Sequence, residues 1–400
     1  MHRVERSAFK NRPIMKHIRR KGKNTITMMQ SWLRNSSVYI VMMGALISLT
    51  SCVRVSSYKE DPAVTSTMHE PHGFLQSCFQ FSENELALME QGEIIVKIFE
   101  MPAVENEVGA FGIVKLDLPK EVFVDQFRDI VSFTKSPEVK AVAKFSTPPR
   151  LEDLRDLTMA NDAILALKEC VPGNCKVKMD ARMMERFHTE VDWTASNYRE
   201  QATLLMKQML LDYTTRYLQE GDRALGQYDD QAEPLRIEEV FHGLLQNSTY
   251  LRTYVPELYA YLENYPKEHL PNVENFMYWS IEQFGLRPVI NLYHVTIYTR
   301  QQKGKHDVFI TSKQIYASHY FEMALGFTAF VDEVGGASPA NSYLMYLNRS
   351  RFDMLHGGFK GVIVSLAKNK VYDGVKFYFQ QVKDKLEAVT LVGKDSLKNY

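Results

Sequence analysis

The residues best suited to chemistry gather in the last third of the chain. Lys313, Tyr316, His319, Tyr320 and Glu322 fall within ten residues of a strand-like segment. A side-chain period of two puts Lys313 off the face shared by Tyr316 and Tyr320, and turns His319 away from both. On the strand before it His294 and Tyr298 share a face, and on the last strand Asn348, Arg349 and Arg351 follow an apolar run. A histidine and an arginine facing one cavity would hold the polar head of a ligand whose tail lies among aromatics. The candidate ligand-binding set is therefore His294, Tyr298, Tyr316, His319, Tyr320, Arg349 and Arg351. A histidine near a glutamate would equally serve as a general base, so a hydrolase- or cyclase-type enzyme using His319 or His294 stays open. So does the plain reading of exposed strand faces and satisfied core polar groups.

Other catalytic signatures are missing. The sequence has no G-x-S-x-G elbow, no H-E-x-x-H, no G-x-x-x-x-G-K-[ST] and no G-x-G-x-x-G after a strand, so no catalytic residue and no cofactor is assigned. His356-Gly-Gly-Phe359 reads as a loop opening the final helix. Of four cysteines, Cys170 and Cys175 bracket a Pro-Gly turn that brings them close, either as a small-loop disulfide or as two buried thiols. Their C-x4-C spacing is not a redox motif, and no second pair completes a metal site. Cys78 reads as a small apolar filler.

Three kinds of segment must position these residues. Glu93–Glu100 and Val108–Leu118 read as strands, and Lys120–Val131 as a helix behind Pro119. Residues 132–150 are turn-rich. From about 180 to 285 the pattern is helical: 181–187, 197–220, 237–245, 250–261 and 273–284 carry apolar residues three and four apart. In the longest, Leu204, Leu205, Gln208, Leu211, Thr215 and Leu218 form the expected buried stripe. Tyr213, Tyr217 and the Tyr250–Tyr265 group line a pocket or belong to the core. Residues 289–299, 306–319, 321–332 and 342–352 then alternate as an antiparallel meander, and an amphipathic helix with Phe359, Val362, Ile363, Leu366, Val371, Val375, Phe379, Val382 and Leu386 on one stripe closes the chain.

The N-terminus reads as an address. A basic segment precedes an apolar run of about a dozen residues, the shape of a secretory signal; Arg34, Asn35 and Ser36 close the run on one side and Ser51 and Arg54 on the other, so a cleaved signal is expected ahead of the alternative, an uncleaved transmembrane anchor. Met28 or Met29 would give a leader of ordinary length. Residues 1–51 hold ten Lys/Arg and one Glu, so the whole chain's 48 against 48 becomes 38 basic against 47 acidic, a balance of −9. An acidic body without a basic run excludes a nucleic-acid binder. Residues 53–72 are polar and without periodicity, as a tether would be.

Two resemblances extend this reading. Leu49-Thr50-Ser51-Cys52 resembles the lipobox of bacterial lipoproteins, which implies cleavage before Cys52, its acylation, and a membrane partnership through lipid. Val53 is not the aspartate that retains such proteins at the inner membrane, so the resemblance implies the outer membrane, facing the periplasm. Gly112–Asp129, a strand, proline turn and helix, and Tyr343–Asp353 with the helix after it, resemble the START-like helix-grip superfamily. That resemblance implies an α+β fold in which a curved antiparallel sheet grips a long C-terminal helix around an apolar cavity. Residues 180–285 would be a helical insertion. The expected organisation is a signal at 1–51, a lipidated tether at 52–75 and a body at 76–395. The function it implies is binding of a lipid or other hydrophobic ligand between sheet and terminal helix. The alternatives are an envelope scaffold binding a protein through its helical block, and the enzyme.

Overall fold

The computed structural model describes residues 71–100, 106–117, 120–283, 287–302, 305–333, 341–353 and 371–384. Cys52, the stretch expected to be a leader and most of the expected tether lie outside them, as do the segment at His356 and the expected stripe residues Phe359, Val362, Ile363, Leu366 and Leu386. Helix α1 (Pro71–Phe79) begins inside the stretch expected to be tether, and packs Phe74 and Leu75 into the core.

Helix α2 (Glu83–Glu90) opens on a capping box: the Ser82 side chain accepts from Glu85 N, and the Glu85 carboxylate accepts from Ser82 N at 2.9 Å. Ser82→Ala is expected to cost about 1 kcal/mol, read as faster amide exchange across α2.

Strands β1 (Ile95–Glu100) and β2 (Glu107–Asp117) form an antiparallel pair. Helices α3 (Lys120–Arg128) and α4 (Ile130–Phe133) lead to β3 (Val139–Lys144), a strand inside the stretch read as turns. A helical segment follows: α5 (Asn161–Leu167), α6 (Ala181–Glu190), α7 (Tyr198–Glu220), α8 (Ile237–Gln246), α9 (Thr249–Tyr254) and α10 (Pro256–Asn264). A two-residue ladder, β4 (Gln227–Tyr228) with β5 (Leu235–Arg236), interrupts it. The meander is β6 (Val273–Glu282), β7 (Val289–Gln302), β8 (Lys305–Ala317), β9 (Phe321–Asp332) and β10 (Asn341–Phe352). Residues 371–384 form a last helix, α11.

Two expectations are corrected here. Val273–Glu282 is strand, not the start of a helix over 273–284: its apolar and aromatic residues pair on both sides, with β3 and β7, and Tyr278 stacks on Tyr293 at 4.8 Å. In α7 the buried stripe is Ala202, Leu205, Met206, Met209, Leu210, Thr214 and Tyr217, while Leu204 is 47% exposed. The helix carries apolar residues on two sides, Leu204, Leu211 and Leu218 opposite Met206, Met209 and Tyr217, and the packed side is the one holding the methionines. Gly221 ends α7 at φ +64°, where a Cβ would lie 2.0 Å from Tyr265 O, so only glycine fits.

Eight strands make one antiparallel sheet in the order β1-β2-β10-β9-β8-β7-β6-β3. Each face has its own core. On one, Phe111, Trp279, Phe309 and Phe327 meet α1, α2 and the helical segment; on the other, Val114, Val295, Ile310 and Phe330 meet α3, α4 and α11. Helix α11 contacts the β1–β2 edge, where Lys383 Nζ donates to Gly92 O and Phe379 lies where a Cβ on Gly112 would be. The architecture is α+β. No helix among the described residues is long and apolar enough to cross a membrane.

Candidate functional site

The sheet divides the sequence-derived candidates into two groups, neither of them under α11. His294, Tyr298, Tyr316 and Arg349 are buried beneath the helical segment. With the Asn275 amide oriented to donate to Tyr261, His294 Nε2 donates to Asn275 Oδ1 and its Nδ1 accepts from the Tyr217 hydroxyl, each at 2.9 Å. Burial, with the charge of Lys313 added, pushes this imidazole down to about 3, so it is neutral. Both ring nitrogens are therefore engaged by neutral groups, an arrangement that holds a core together and supplies no carboxylate to a general base. Tyr298 donates to Glu257 and Tyr316 to Lys178 O. Arg349 donates to Glu107 Oε1, Leu244 O and Ser248 Oγ.

His319, Tyr320 and Arg351 stand at one end of the sheet. Arg351 pairs with Glu322 at 2.8 Å, and the Tyr320 hydroxyl accepts from Arg287 N. His319, lowered by burial, lines a pocket with Thr158, Asp162, Arg287 and Ser318. Its volume is about 20 Å3, room for one water and not for a hydrocarbon. Lys313 and Tyr316 share a face after all, because a bulge at the β7–β8 register shift after Leu292 breaks the alternation. Cys170 and Cys175 are disulfide-bonded.

The opposite face carries a polar strip that the sequence reading missed. Along β6 and β7 the alternation that buries Trp279 and Leu292 on one side turns Tyr278, Ser280 and Glu282, then Asn291 and Tyr293, toward the α11 side. Ser280 Oγ donates to Glu282 Oε1 at 2.6 Å, and Tyr293 and Asn291 donate to the same carboxylate. Gln314 on β8 donates to Asn291 Oδ1 at 2.9 Å and contacts the Tyr293 hydroxyl. Tyr278 meets Ser312, and Tyr346 meets Asn348, which also accepts from Ser350 Oγ. From above, Tyr378 of α11 reaches Tyr346, ring centres 5.4 Å apart.

Desolvation dominates the electrostatics of this strip. Burial raises the Glu282 carboxyl, lifts Tyr346 to about 12, and takes Tyr278, Tyr293 and Tyr378 well above the ordinary phenol value. Yet Glu282, Tyr293, Tyr346 and Tyr378 each keep some accessible surface. These groups are withdrawn from water yet partly accessible, which makes the space between them and α11 the candidate crevice. Gly326 on β9 forms part of its floor: a Cβ there would meet nothing closer than 3.5 Å, with Tyr346 at 3.7 Å. The arrangement can hydrogen-bond a polar group among aromatic rings.

A signal for the strip was present in the sequence. Tyr-x-Ser-x-Glu at 278–282 and Asn-x-Tyr at 291–293 alternate in phase, but assigning 273–284 to a helix concealed the first half. Among the described residues no group of His, Cys, Asp and Glu could hold a metal ion. No protein-family model, no curated protein and no solved structure matches the chain.

Proposed function

We propose that the protein binds an apolar ligand with a polar head between its sheet and terminal helix, and does so as a lipid-anchored protein of the cell envelope. The observation that carries this is the strip centred on Glu282, Tyr293 and Gln314. A core of purely structural purpose gains nothing from a carboxylate and four tyrosine hydroxyls drawn out of water beneath a helix. The strand order supports the helix-grip reading as well. It sets β2 beside β10, which brings α3, α4 and α11 onto the same face and leaves the helical segment as an insertion on the other. The scaffold alternative has less support: among the described residues of 181–264, Leu204 is the exposed large apolar side chain, and a lone leucine is ordinary surface.

The test uses Gly326. A side chain there enters the crevice without meeting backbone closely, so Gly326→Val should leave the thermal unfolding midpoint within a few degrees while lowering ligand content at least about tenfold, one lost methyl-sized space after another being worth that much. Ligand content is read by native mass spectrometry and solvent extraction of the purified full chain. Equal content in both proteins would refute the site, and no apolar ligand in either would refute the function.

A further inference from the structure

The crevice has a polarity that follows from its hydrogen-bond bookkeeping. The Glu282 carboxylate takes donors from Ser280, Tyr293 and Asn291. Because the Asn291 amide turns its nitrogen toward Glu282, its Oδ1 faces Gln314 and requires a donor. Gln314 Nε2 supplies that donor at 2.9 Å. The chain of donors and acceptors thus fixes the Gln314 amide, and its Oε1 is what remains. That oxygen is buried with no hydrogen-bond partner, on a side chain 2% exposed. Flipping Gln314 alone sets its oxygen against the Asn291 oxygen, and flipping Asn291 alone sets its nitrogen against the Gln314 nitrogen, so this arrangement leaves Gln314 Oε1 as the open acceptor.

Resting on the ligand-binding reading above, we infer that the ligand's polar head is an uncharged hydrogen-bond donor, a hydroxyl or an N–H, received by Gln314 Oε1, and that ionised carboxylates are excluded. An anionic head would bring oxygen lone pairs against Gln314 Oε1 and Glu282, and the cation that the β3–β6 register sets beside the described strip, Lys144 opposite Tyr278, is exposed and held over the Phe276 ring at 4.0 Å. The nearest buried lysine, Lys313, neighbours Gln314 in sequence but projects to the other face, against Asp222. The desolvation that raises Glu282 acts in the same sense, since a second negative charge there would be opposed further. A site built to receive a donor also discriminates against the isostere lacking it, because the buried acceptor is then left unmet.

Three ten-carbon probes separate these possibilities: decan-1-ol, its methyl ether and decanoate, each titrated calorimetrically into the full chain at pH 7.5. Decanol is expected to bind about tenfold tighter than the ether, with decanoate weaker still. In Gln314→Leu the decanol-to-ether ratio should fall toward one while ether binding persists. Wild-type protein that binds decanol and the ether equally, or decanoate best, overturns the inference while leaving the ligand site standing. Failure of all three to bind would remove both. The wild-type comparison decides the matter even if Gln314→Leu fails to fold.

Discussion

Glu107→Gln is expected to lower the unfolding free energy by about 3–5 kcal/mol, the cost of leaving a buried charge without its counter-ion. Glu107 and Arg349 are 3% and 1% exposed, and Arg349 Nε donates to Glu107 Oε1 at 2.5 Å. The same guanidinium reaches Leu244 O and Ser248 Oγ, both at 2.8 Å. Leu244 lies in the last turn of α8, whose carbonyls carry the negative end of the helix dipole. The pair therefore ties β2 and β10 to the helical segment. Removing the carboxylate alone leaves the guanidinium short of water and of charge balance. Replacing both partners, as in Glu107→Leu with Arg349→Met, removes two desolvation penalties together and should cost much less than Glu107→Gln. Urea unfolding of the three proteins at pH 7 measures this. Equal losses in the single and double variants would mean that packing, and not charge, holds the segment.

That pair also shows what a sequence can and cannot disclose. Strands β1, β2 and β7 to β10 and helices α3 and α6 to α8 follow from alternation, helical spacing and Pro119, because their burial patterns repeat along the chain itself, whereas the single helix expected over 250–261 is two, α9 and α10, divided where Pro256 opens the second. Arg349 stood out as a charge following directly on an apolar run. Its partner was beyond reach, since Glu107 lies 242 residues away and is joined to it by the β2–β10 register. The two errors with most consequence have one cause. Residues 273–284 carry apolar side chains at both periods, and only pairing with β3 and β7 decides between them. Once that segment is a strand, Ser280 and Glu282 fall in phase with Asn291 and Tyr293, and the polar strip becomes visible. Histidines draw attention by type, whereas this strip is made of common residues that matter through placement.

The second large effect is a stability that rises with pH. Lys313 is 1% exposed, paired with Asp222 and held against the rings of Phe241 at 3.3 Å and Tyr217 at 5.4 Å. Burial pulls its ammonium down to about 8, against the opposing attraction of Asp222. In the unfolded chain the same lysine holds its proton to the ordinary value of 10.5. Between those limits the unfolded state binds more protons, so raising the pH favours the folded state. Integrated from pH 7 to 9, this one group should add about 1 kcal/mol. The rise then ends. From about pH 9 upward the unfolded tyrosines ionise, while Tyr217, Tyr278 and Tyr293 are held neutral by burial in the folded protein, which reverses the slope. Unfolding free energies at pH 7, 8 and 9 should therefore climb in the wild type and stay nearly level in Lys313→Met. Parallel profiles would show that the ammonium keeps its proton beside Asp222 throughout. Because Lys313 and Glu282 lie on opposite faces of the sheet, the variant should leave ligand binding near pH 7.5 unchanged, so the stability of the helical segment and the chemistry of the crevice can be measured apart.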